Sequence, residues 1–173
     1  MTIDFIEGTF QKPSRTQSYR CPFGGGIAGF DREDRLVEIT FGRDSADEEP
    51  DVVGVKPDDG GVCVLDSLFS GGALDGLHCA ARGTAFQIAV WKALLEIPYG
   101  HTTTYRALAE KLERPKGARA VASAVGANRL AGIVPCHRVL QTGGGMGGYR
   151  WGVAVKAALL ARERGGTFFA FAQ

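Results

Sequence analysis

Several features that this chain lacks narrow its class. No apolar run approaches the roughly twenty residues of a membrane span, so none is expected. Met1-Thr2-Ile3-Asp4 has neither a basic stretch nor an apolar one behind it, so no secretory signal is expected. The cysteines are few: Cys21, Cys63, Cys79 and Cys136 form no CxxC pair and no regular framework. Free thiols in a reducing, cytoplasmic setting are the expectation. Cys21, Cys63, His78 and Cys79 also lack metal-ligand spacing, so no metal or cofactor is expected. Acids are scarce in one half only. Residues 81–173 carry thirteen Lys and Arg against four Asp and Glu, whereas residues 1–80 carry seven against fifteen. A basic half so poor in acids suits a polyanion, most often nucleic acid. Two lobes that merely neutralise one another are the plainer alternative.

What is present divides the 173 residues into two small domains, 1–82 and 83–173. In the first, 17–23, 25–30 and 36–41 read as strands, with Gly24-Gly25-Gly26 and Asp31-Arg32-Glu33-Asp34 as turns between them. Residues 43–59 read as an acidic irregular loop, and 62–69 as a short helix ended by Gly71-Gly72. In the second, Thr84 is placed to cap a helix through Phe86, Val90, Leu94 and Leu95, stopped by Pro98-Tyr99-Gly100. Thr103 or Thr104 caps another, with Tyr105, Leu108, Ala109 and Leu112 inward. A third spans about 117–127, and a last one about 152–164 has Val155, Leu159 and Leu160 inside. Two short helices joined by a tight turn form a helix-turn-helix unit.

That third helix is slim. Ala118, Ala120, Ala122, Ser123 and Ala124 give it little bulk, while Arg119 projects as a single long base. Small residues allow close packing on a neighbouring helix. They also allow a helix into the minor groove of DNA, about 6 Å wide, where a side chain can occupy the place of an unstacked base.

The chemistry centres on Pro135-Cys136-His137-Arg138-Val139, set between apolar runs. A thiol beside an imidazole and a guanidinium is favoured as thiolate, the nucleophilic form. In an extended segment Cys136 and His137 would point to opposite faces. Either the chain turns there, which Pro135 favours, or a water bridges the two.

On these residues the chain resembles the O6-alkylguanine-DNA alkyltransferases, over about 84–165. The carrying stretches are Gly83-Thr84-Ala85-Phe86-Gln87, Thr104-Tyr105, Lys116-Gly117-Ala118-Arg119-Ala120-Val121, Ala127-Asn128, the Cys136 pentapeptide and Gly148-Tyr149-Arg150-Trp151-Gly152. The resemblance implies an α+β protein: a small strand-rich α/β domain followed by a mostly helical winged helix-turn-helix domain. It implies minor-groove binding to double-stranded DNA, eversion of an O6-alkylguanine, and one irreversible alkyl transfer to Cys136. It further implies a monomer that needs no protein partner. His137 corresponds to the residue that activates the thiol through a water, and Glu163 to the one that orients that imidazole. Asn128 corresponds to a hinge residue of the same network. Tyr105 corresponds to the residue that promotes nucleotide rotation and donates to the guanine ring, and Arg119 to the one that fills the vacated stack. Ala118, Ala120 and Ser123 line the DNA-facing helix. Tyr149, the backbone around Arg150, Val139 and Pro135 form the pocket wall. Where some members carry Pro in that wall, this chain has Ala131.

Simpler roles compete for several of these residues. Asn128 can cap a helix, Glu163 can pair with Arg162 or Arg164, and Tyr105 can be core. Two other functions compete as well: a lesion-recognition module without transfer, which in such proteins goes with replacement of the acceptor Cys, and a Cys136–His137 hydrolase, which leaves the basic helix-turn-helix without a role.

Overall fold

The computed structural model describes residues 1–21, 24–41 and 76–165. The expected acidic loop at 43–59 and the short helix at 62–69 lie outside the described residues. Two compact units emerge from chain packing: Met1–Ile88 with Asn128–Ile133, and Ala89–Ala127 with Val134–Gln173.

The first unit is built on a five-stranded sheet. Its strands are β1 (Thr2–Glu7), β2 (Arg15–Cys21), β3 (Gly24–Phe30), β4 (Leu36–Phe41) and β5 (His78–Gly83), in the order β1-β5-β4-β3-β2. β2, β3 and β4 pair antiparallel as local hairpins, while β5 runs parallel to both β1 and β4. The hairpin strands fall on the stretches read as strands in sequence, with β2 beginning two residues earlier. β1 and β5 were not legible there, because they form by non-local pairing (Thr2 to His78 through Glu7 to Gly83) and β5 has no β-branched residue. Ala28, Leu36, Ile39, Cys79 and Ala80 make the sheet's buried centre.

The Asp31 turn forms as expected: Asp31 Oδ1 accepts from the amides of Glu33 and Arg35, each at 3.0 Å. The triple glycine does not turn. Gly24 to Gly26 lie inside β3, and Tyr19 crosses over Gly26 to donate from its hydroxyl to Thr40 O on β4, 2.8 Å away. A Cβ at Gly26 would sit 2.5 Å from the Tyr19 ring, so glycine there makes room for an aromatic rather than a bend. After the helical region the chain returns to this sheet, where Ile39 N donates to Arg129 O at 2.8 Å and Ile39 bridges Leu130.

The helices follow. α1 (Ala85–Leu95) starts with a reciprocal cap: Gln87 N donates to Thr84 Oγ1 at 3.2 Å, and Thr84 N to Gln87 Oε1 at 2.9 Å. A two-stranded parallel sheet pairs β6 (Thr103–Thr104) with β7 (Val139–Leu140). α2 (Tyr105–Lys111) is capped by Thr104, whose Oγ1 accepts from Ala107 N at 3.1 Å. α3 (Ala118–Gly126) and α4 (Val153–Glu163) complete the second unit. Val90 and Leu94 of α1 are fully buried, about 1.5–3 kcal/mol of apolar transfer each. The indole N–H of Trp91 donates to Ala124 O at 2.8 Å, which pins α1 to α3. A sheet-bearing unit followed by a helical one makes the protein α+β. Among the described residues, no helix is long and apolar enough to cross a membrane.

Candidate functional site

The chain turns at the cysteine. Cys136–Arg138 is a single 3₁₀ turn, opened by Pro135 and closed by a bond from Arg138 N to Pro135 O at 3.0 Å. β7 follows at once and anchors the turn to β6. Successive side chains on so tight a turn diverge, so Cys136 and His137 are both buried but serve different neighbours.

His137 faces α4. Its Nε2 lies 2.7 Å from Glu163 Oε1. A carboxylate can only accept, so Nε2 carries the proton and Nδ1 keeps its lone pair. That Nδ1 is buried and has no protein hydrogen-bond partner among the described residues. Glu163 has no free valence left. Arg138 Nε donates to both of its oxygens at 3.0 and 2.8 Å, Arg138 Nη2 to Oε1 at 2.8 Å, and Gly100 N to Oε2 at 3.1 Å. Gly100 has φ +76°, and a Cβ there would come within 3.1 Å of Glu163 O, so glycine lets the amide reach the carboxylate without strain. Arg138 Nη1 donates to Ile97 O at 2.7 Å, and its guanidinium lies 5.6 Å from the Tyr99 ring centre.

The charges follow from this geometry. Burial works against the Glu163 anion, but the bonds from His137, Arg138 and Gly100 outweigh it and hold its carboxyl down at about 2. Burial pushes His137 below the ordinary imidazole range, and the positive charges of Arg138 and Lys156 add to that; Glu163 pulls the other way without winning. The pair is therefore a neutral imidazole on a fixed carboxylate at neutral pH. Tyr105 is half-buried at the start of α2, and its phenol is pushed up by burial first and then by a negative charge on Cys136. Gly147 of the glycine-rich segment lies against that ring.

Lys156 was missed in sequence. It is fully buried, and its Nζ donates to Val139 O at 2.6 Å and to Met146 O. Burial lowers its pKa, while attraction to Cys136 opposes the shift. The available signal was its position: Lys156, Leu159, Leu160 and Glu163 share one helical stripe, so a lysine there faces inward. Arg138 was singled out only as a neighbour of the thiol, not as the residue that grips Glu163.

The remaining candidates fall as follows. On α3 the exposed face carries Arg119, Ala120, Ser123 and Gly126, with Ala118 half-buried and Val121, Ala124 and Val125 buried. The slim face with one long base is thus solvent-facing. Asn128 is buried in the first unit, where its Oδ1 accepts from Leu130 N at 3.0 Å and its Nδ2 donates to Leu130 O at 3.4 Å. Val139 and Pro135 are buried around the thiol's turn. Tyr149 stacks edge-on with Trp151 at 5.1 Å. Arg150 is exposed, and its guanidinium reaches α3. Among the described residues, no group of three His, Cys, Asp or Glu could hold a metal ion.

Comparison with known proteins gives the chain's relatives. The family model for the 6-O-methylguanine DNA methyltransferase DNA-binding domain matches residues 85–165. The Escherichia coli bifunctional transcriptional activator/DNA repair enzyme Ada is 58% identical over 82 residues, 47% of this chain and 23% of Ada. The chain therefore spans only about a quarter of that relative. The methylated-DNA–protein-cysteine methyltransferase of Mycobacterium tuberculosis is 41% identical over 135 residues, 75% of this chain and 78% of the relative. The crystal structure of Mycobacterium tuberculosis OGT in complex with DNA superposes with a TM-score of 0.69 at 35% identity, covering 87% of this chain and 92% of that one. With most of a relative's length matched at that identity, the chain belongs to the methylated-DNA–protein-cysteine methyltransferase family.

Proposed function

We propose that this protein repairs double-stranded DNA by moving an alkyl group from guanine O6 to Cys136, once per molecule and irreversibly. The observation that carries the reading is the relay beside the thiol: Glu163 holds the Nε2 proton of a neutral His137, and the other ring nitrogen is left as an acceptor. A thiol proton passes to that Nδ1 through a water, and the ammonium of Lys156 favours the thiolate that results. Sulfur then attacks the alkyl carbon. The carbon–sulfur bond forms as the carbon–oxygen bond breaks, and the electron pair leaves with guanine O6. Tyr105 supplies a hydrogen bond or proton to the departing purine. A thioether does not hydrolyse, so no second turnover follows.

α2 and α3 act as the helix-turn-helix of a winged domain spanning residues 83–173, in keeping with the spare charge of that half. The exposed face of Ala118, Ala120 and Ser123 enters the minor groove, and Arg119 takes the place of the everted base. Tyr149, Val139, Pro135 and the backbone at Arg150 wall the pocket, and Asn128 holds the hinge between α3 and the Cys136 segment. The M. tuberculosis relative crystallised with DNA supports the choice of partner.

Incubation with duplex DNA carrying a radiolabelled methyl on guanine O6 tests the reading. One label per protein is expected, with none on Cys136→Ala. Turnover past one equivalent points to a hydrolase, and binding without transfer to a recognition module.

A further inference from the structure

Arg150 ties two parts of the second unit together. Its Nε and Nη2 both donate to Gly126 O, at 3.2 and 2.8 Å. Gly126 is the last residue of α3, where carbonyls run out of amide donors and the helix dipole is negative. A guanidinium is well matched to that end: it is always charged, and its two N–H groups can converge on one oxygen.

The other end of Arg150 is equally fixed. Tyr149 and Trp151 flank it with rings 5.1 Å apart, and Gly152 N donates to Tyr149 O at 3.1 Å, closing a turn around it. Lys156 N in turn donates to Gly152 O at 3.3 Å at the start of α4. The side chain of Arg150 thus runs from the turn that carries Tyr149 to the far end of the helix that carries Arg119.

We infer that Arg150 is a positioning residue that couples the seating of α3 on duplex DNA to the placement of the Tyr149 turn. The inference rests on the proposed DNA repair reading, in which α3 reads the groove and Tyr149 walls the pocket. A free alkylated base has no groove contact through which α3 could be loaded, so it feels only the local part of the clamp. A duplex feels the whole of it.

The test compares Arg150→Ala, Arg150→Lys and the unaltered protein by single-turnover rate on two substrates, an O6-methylguanine duplex and free O6-benzylguanine. Amide hydrogen exchange across 123–127 and 148–152 is measured alongside. Arg150→Ala is expected to slow duplex repair by about tenfold or more and reaction with the free base by about two- to threefold. Faster exchange is expected in both segments at once. Arg150→Lys, which keeps the charge and one donor, restores part of each. Equal losses on the two substrates would overturn the coupling and make Arg150 part of the local fold. Weaker duplex binding with an unaltered rate at saturation would also overturn it, in favour of a plain phosphate contact. Loosening of 148–152 alone would show that no tether to α3 exists. Failure of the unaltered protein to accept any methyl would instead sink the repair reading, while the exchange data would still decide the tether.

Discussion

Cys79 and Cys136 are both outside any disulfide and both buried, at 1% and 4% exposure, one in each compact unit. Cys79 is the second residue of β5, paired on one side with Ile3 and on the other with Leu36. Burial pushes its thiol up to about 12, so it stays protonated and inert at neutral pH. Cys136 sits on a tight turn beside an imidazole, with the attractive charge of Lys156 and the phenol of Tyr105 close enough to feel a thiolate. Burial alone makes a cysteine a small apolar filler. A nucleophile needs an acceptor for its proton and a cation for its charge, and in the proposed reading Cys136 is the thiol with an imidazole next to it and a lysine that feels its charge.

The contrast can be broken most severely at the sulfur. Cys136→Ser should abolish transfer, a loss of about 10³-fold or more, because an alkoxide is far harder to form than a thiolate; single-turnover kinetics check it. Next comes the relay. Glu163→Gln replaces the charged acceptor of His137 with a neutral amide and strands the Arg138 guanidinium, whose side chain is 13% exposed. Loss of transfer of about 10²-fold is expected, with a fall in unfolding free energy of roughly 3–5 kcal/mol in denaturant titration.

Lys156→Met keeps the length of the buried side chain and removes its charge. Transfer at pH 7 should slow about tenfold and recover as pH rises, because a thiolate that has lost its cation needs a more alkaline solution to form. A pH–rate profile separates this from a packing defect, which would not recover.

Acid should act on stability in a fixed direction. The folded imidazole of His137 binds a proton less readily than an unfolded one, whose ordinary value is 6.5, so the unfolded chain takes up more protons below that pH. Glu163, held near 2 against an ordinary 4.5, adds a second loss as pH falls from about 4.5 toward 2. The denaturant midpoint should therefore drop between pH 7.5 and 5 and again below 4.5, and Glu163→Gln should shrink the second step, leaving the share of other carboxylates held low, Asp31 among them. The smallest effect belongs to the sheet thiol. Cys79→Ala should cost about 1 kcal/mol of stability and leave the transfer rate within about twofold, since that thiol lies outside the relay.

Much of this was readable from sequence where the cause is local. The Thr84 cap, a cap at Thr103 or Thr104 and the slim α3 follow from side chains acting on their own backbone, while at Pro135 the sequence left a turn or a bridging water open and the structure shows a turn. The hairpin strands β2 to β4 follow from short β-forming stretches set between turns. What escaped reading is non-local. β1 and β5 exist because segments 76 residues apart pair in parallel, and Gly26 sits in a strand that Tyr19 crosses. The role of Glu163 came from resemblance; the grip of Arg138 and Gly100 on it appears only when three separated segments meet. Lys156 could have been found, since a lysine two turns before Glu163 on an apolar stripe has nowhere to point but inward.

The central claim is that environment, and not burial, selects one thiol as the alkyl acceptor. Peptide mapping by mass spectrometry after reaction with an O6-methylguanine duplex tests it directly, because all four cysteines compete in one experiment. A single methyl on the peptide containing Cys136, with the Cys79 peptide unmodified, is the predicted result; methyl on Cys79, or spread among the cysteines, would contradict it.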